Sequence, residues 1–78
     1  MAFNPFRQVA PELRAHVIRV TGGEAERFAV LAADSGQALA AVVAGLRPCD
    51  IAEVTGEVLA PAAAARLPLE PGRPLRLG

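Results

Sequence analysis

An α+β fold follows from three features of the chain. Two β-branched runs flank Gly22-Gly23, a capped stretch from Asp34 carries apolar residues at helical spacing, and a third run alternates apolar with charged residues. The predicted order is ββαβ, a three-stranded antiparallel sheet with one helix packed on one face and extended N- and C-terminal arms. Residues 12–60 form the single domain. Residues 1–11 are an N-terminal arm, and residues 61–78 are a Pro/Leu-rich C-terminal tail or short hairpin.

Each element has its own reason. The arm holds Pro5 and Pro11 and lacks any period. The first strand, Glu12 to Thr21, centres on His16-Val17-Ile18-Arg19-Val20. Gly22-Gly23 supplies the positive φ angles of a tight hairpin turn. The chain then returns from Glu26 to Ala32 through Phe28, Val30 and Leu31.

Asp34 or Ser35 is the predicted N-cap, with Gln37 three positions after Asp34 as in a capping box. Leu39, Val42, Val43 and Leu46 then fall at i, i+3, i+4 and i+7, a single apolar stripe that leaves Ala38 and Ala41 on the outer side. Gly45 and Pro48 end the helix near Leu46. In the third strand, Asp50 to Ala60, Ala52, Val54, Val58 and Ala60 alternate with Glu53, Thr55 and Glu57, which predicts one buried face. Gly56 marks a bulge in it.

A helical crossover makes the third strand parallel to the second, so it pairs antiparallel with the first and gives the order 2-1-3. In the tail, Pro71-Gly72 suits the centre of a type II turn with Glu70 and Arg73 at its corners. That turn folds Leu67 and Leu69 back toward Leu75 and Leu77.

Composition narrows the function classes. A chain of 78 residues buries roughly 60% of its unfolded surface and needs good packing or a partner. Eight Arg balance eight acids and Lys is absent. A net charge of zero argues against binding nucleic acid or an anionic membrane. The single Cys49 fits a reducing compartment, and the N-terminus lacks the pattern of a signal peptide, so a cytoplasmic protein is expected. Phe28 to Leu46 is long and apolar enough to resemble a membrane span. Asp34 near its middle would cost roughly 2.5–3.5 kcal/mol there, which argues against that reading.

Residues suited to chemistry are few. His16 is the one side chain that titrates near neutrality, and a lone His needs a nucleophile or an orienting carboxylate beside it. Cys49 follows the helix C-terminus, where the helix dipole opposes a thiolate. Ser35 stands at a strand-to-helix turn but lacks the glycines of a nucleophile elbow, and Asp34 would repel a phosphate there. One His and one Cys do not make a zinc site. Stacking on a nucleic acid would have only Phe28 beside Arg14, Arg19 and Arg27. No catalytic residue, cofactor, metal or small-molecule substrate is expected.

Apolar surface, by contrast, is in excess. Both faces of the first two strands are apolar, and no charge lies between Asp34 and Arg47, so one helix cannot cover everything. The terminal arms or another chain must cover the rest. The residues expected to meet a partner are Phe3, Phe6, Val17, Arg19, Leu31, Leu67, Leu69, Leu75 and Leu77. The expected function is a small non-enzymatic protein-binding module, of the kind encoded by phages or mobile elements as inhibitors such as anti-CRISPR proteins. It would act by occluding a surface of a partner. The alternatives are a homo-oligomeric accessory or structural subunit and a nucleic-acid-binding accessory protein.

Overall fold

The computed structural model describes residues 12–78. Its elements run β1 (Arg14–Thr21), β2 (Glu26–Ala32), α1 (Ser35–Val43), β3 (Ile51–Val58), α2 (Pro61–Ala64) and β4 (Leu75–Arg76). The fold is α+β with an antiparallel sheet in the order β3-β1-β2-β4. The expected 2-1-3 arrangement is therefore its core, and two details need correction. The sheet has four strands, since part of the tail adds β4 to the edge of β2, and a second, one-turn helix precedes it.

Both corrections have local causes. Pro61 opens α2 because its fixed φ suits the first turn of a helix, and the four residues carry no buried side chain of their own. β4 is only two residues long and follows Pro74, so no alternation announces it. It is held by Leu77 N–H on Arg27 O and Arg27 N–H on Gly78 O, at 2.7 and 2.9 Å. The turn before it forms as expected. Arg73 N–H reaches Glu70 O at 3.1 Å, and Gly72 takes φ +74°, the value that the third residue of a type II turn requires.

The core lies between the sheet and α1. Ile18, Val20, Val30, Ala32, Ala38 and Val42 are buried together, with Phe28, Leu39, Ala41, Leu46 and Ala52 packed around them. Asp34 caps α1 by accepting the N–H of Gln37 at 2.8 Å. Leu39, Val42 and Leu46 of the expected stripe meet the core, but the buried face is rotated toward Ala38 and Ala41 and away from Val43. Ala38 is fully buried while Val43 is 51% exposed. A small residue at the contact lets the helix axis approach the sheet, and that outweighs the larger apolar side chain on the next ridge. The helix ends at Val43, short of Leu46, and turns through Ala44 and Gly45.

The hairpin and the entry to β3 are fastened to each other. Gly22-Gly23 lies in a wider loop than the tight turn expected, since pairing stops at Val20 with Glu26. Gly22 has φ +136°, and a Cβ built on it would lie 2.5 Å from Cys49 O and 2.8 Å from Asp50 Cα. The chain before β3 packs against this loop. Asp50 holds that approach by accepting from the backbone N–H and side-chain Nε of Arg47, each at 3.2 Å. The Arg47 guanidinium and backbone N–H hold the Asp50 carboxyl below its ordinary range, and Asp50 in turn raises Arg47.

Candidate functional site

Each residue singled out for chemistry can be placed. His16 faces the helix side between Val30 and Val58, and its Nε2 is buried without a hydrogen-bond partner. A cavity of about 200 Å³ adjoins it, lined by Val17, Ser35, Val54, Gly56, Glu57 and Val58. Nε2 itself is beyond the reach of a water-sized molecule. Cys49 is exposed at the opposite end of β1, against Gly22. Six residues of strand, about 20 Å, separate Gly22 from His16. Among the described residues, no three His, Cys, Asp or Glu side chains gather as metal ligands. No helix among them is long and apolar enough to cross a membrane.

The residues expected to meet a partner fall into four groups. Phe3 and Phe6 lie outside the described residues. Val17 is 1% exposed, so its side chain has almost no surface to offer. Arg19 is exposed, but its guanidinium is paired with Glu53 of β3. Leu31, Leu67, Leu69, Leu75 and Leu77 are half-buried within the fold. Leu31 bridges to Pro71, and Leu75 pairs with Ala29, so the tail extends the face of the sheet opposite α1. The tail thus covers part of the apolar surplus.

The surplus that stays uncovered lies along β3, where sequence reasoning expected a buried face. Ile51, Val54 and Val58 are 59%, 44% and 41% exposed. β3 pairs with β1 on one side, and no described residue pairs with it on the other. Its acids are tied inward on the helix-free face, Glu53 to Arg19 and Glu57 across β1 to Arg27. What remains at the rim is apolar side chain and backbone. The placement of β3 at an edge was the clue available from sequence, because a nine-residue helix cannot shield three strands equally.

The bulge expected at Gly56 shapes this rim. Pairing jumps from Ile18↔Val54 to His16↔Val58, so Thr55, Gly56 and Glu57 of β3 lie opposite Val17 alone. Gly56 takes φ +81° there. The Thr55 hydroxyl repairs the gap in both directions. It donates to Val17 O at 2.8 Å, replacing a lost ladder bond, and accepts from Glu57 N–H at 3.0 Å. A second concavity, a groove of about 500 Å³, runs beside the end of β3, lined by Leu13, Ala15, Leu31, Leu59, Pro61 and Ala64 among others.

Comparison of the chain with family models, curated proteins and solved structures found no match. The functional reading therefore rests on the chain's own geometry.

Proposed function

We propose that the chain is a small non-enzymatic protein-binding module and that the flank of β3 is its contact surface. The observation that carries this reading is the exposure of Ile51, Val54 and Val58 on a strand paired on one side only. Such an edge offers a row of backbone donors and acceptors beside apolar side chains, the combination that strand addition uses for affinity and specificity. The charges nearest to it are already matched within the chain, so the contact is apolar and backbone-directed rather than electrostatic. On its small size and lack of a catalytic motif in the sequence, the class we propose is an inhibitor carried by a phage or other mobile element, acting by occlusion as anti-CRISPR proteins do.

Affinity capture from host extract with the wild-type chain and with Val54→Pro tests the reading. The expected result is a protein retained by the wild type and lost with the variant, with the circular dichroism of the two chains alike. An identical captured set for both chains would refute the β3 flank as the contact.

A further inference from the structure

We infer that the groove between α2 and the sheet is the seat of the chain's own N-terminal segment, residues 1–11, with the Phe6 ring as its anchor. The groove has a local cause. α2 consists of Pro61 and three alanines, whose short side chains leave a gap of about 500 Å³ beside Ala15 of β1 and Leu31 of β2. Leu13 and Val58, which also line it, are 43% and 41% exposed. Glu12 and Arg14 are its only charged lining residues, and they face each other at 3.9 Å. What would complete the groove is therefore apolar volume and not a counter-charge. Protein interiors are close-packed, and an apolar hollow of only about 150 Å³ takes up benzene. A phenyl ring is the chemistry that fits.

The chain carries such rings next to the groove. Phe3 and Phe6 are two of its three Phe, and both lie in the segment that joins the sheet at Glu12, itself a lining residue. Five residues, Arg7 to Pro11, connect Phe6 to Glu12, a common length for a connection that reverses direction. Extended, five residues reach about 17 Å, against the roughly 10 Å that separates packed layers. Phe3 lies three residues further out, so closing its loop costs more and Phe6 is the ring brought in first. The tail offers no competitor. Residues 61–78 contain no aromatic side chain, and Leu75 is already paired with Ala29 of β2.

Tethering favours this occupant over a foreign one. A short flexible linker gives a segment an effective concentration in the millimolar range. A segment of another protein present at micromolar concentration must bind about a thousandfold more tightly to displace it. The seat also divides the apolar surplus between two covers. Leu13 and Val58 are shielded within the chain, while Ile51 and Val54 stay open for strand addition at β3. The groove contact holds whether or not the β3 contact is made.

Nuclear magnetic resonance on the full chain, with Phe and Leu labelled, tests the seat. The expected result is a set of Overhauser effects from the Phe6 ring to the methyls of Leu13, Leu31 and Leu59, unchanged between micromolar and millimolar chain. Mixing labelled with unlabelled chains is expected to place these effects within one copy. Leu59 N–H donates to Ala15 O beside the groove, so its exchange reports the cover. Phe6→Ala is expected to speed that exchange by roughly tenfold or more, and Phe3→Ala by less than about twofold. Ala64→Phe fills the groove from α2, so it abolishes the Phe6 effects while the amides paired between β1 and β2 keep their protection. Absence of Phe6 effects in the wild type, or effects that arise only between copies, overturns the inference. So does a Leu59 amide that exchanges equally fast in the wild type and Phe6→Ala, or an Ala64→Phe chain whose Phe6 effects persist. The capture experiment with Val54→Pro reads β3 separately, so failure of either contact leaves the other standing.

Discussion

β1 and β3 are neighbours of equal length, eight residues each, and each contains four residues drawn from Ala, Val and Ile. β1 buries all four of them, Ala15, Val17, Ile18 and Val20. β3 fully buries none, and only Ala52 is half-buried. The number of apolar residues in a strand therefore does not set its burial. Having a strand on both sides does, since Ala15 and Val17 are buried on the face away from α1, while α1 adds cover over Ile18 and Val20 on the other. Hydrophobic stabilisation follows the area removed from water, so the two strands contribute unequally despite similar composition.

The sharpest way to break this comparison is to truncate one side chain in each strand. Ile18→Ala empties a fully buried site and is expected to cost roughly 2–5 kcal/mol in denaturant unfolding. Val54→Ala, measured where the chain is monomeric, is expected to cost less than about 1 kcal/mol. Equal costs would mean that β3 is covered in solution.

A pair of glycines comes next, Gly22 against the approach to β3 and Gly56 in the bulge within it. Both have positive φ, but only Gly22 is approached closely, by Cys49 and Asp50. Gly22→Ala combines backbone strain with a clash and is expected to cost roughly 2–5 kcal/mol. Gly56→Ala carries the strain alone, about 1–2 kcal/mol. Thermal or denaturant unfolding ranks them, and the reverse order would show that the seat of β3 on the hairpin is looser than its geometry implies.

The smallest effect is that of pH. The Asp50 carboxyl is held below its ordinary value by Arg47, so the folded state binds its proton less readily than the unfolded state does. Its contribution is present above the unfolded value, about pH 3.9, and is lost as pH falls through the lower folded value. Wild type is expected to melt above Asp50→Asn at neutral pH, with the gap closing in that acid range. A gap that stays constant on acidification would remove the ion pair from the account of how β3 is seated.

The same contrast explains what was legible before the fold was known. The strand order of β1, β2 and β3 followed from connection rules, because a crossover helix leaves few choices. The Asp34 cap, the Gly56 bulge and the Pro71-Gly72 turn followed from local chemistry that one or two side chains dictate. The phase of α1 followed in part, since Leu39, Val42 and Leu46 pack on the core, while Ala38 is a weak hydrophobic marker whose burial comes from being small. β4 did not, because two residues after a proline leave no period to read. The candidate edge was misread as half-buried for the reason that separates β1 from β3, since alternation reports which way a side chain points and says nothing of what stands over it.

The C-terminal strand sets a limit on growth. At the β2 end the sheet finishes in two residues preceded by Pro74, too short a template for another strand to lengthen. The β3 end is the one long edge that the described residues leave free. A sheet with one usable end can be joined once and then has nothing left to offer. Strand addition at β3, as proposed for the contact, would therefore be self-terminating, with one added strand leaving no second long edge to extend.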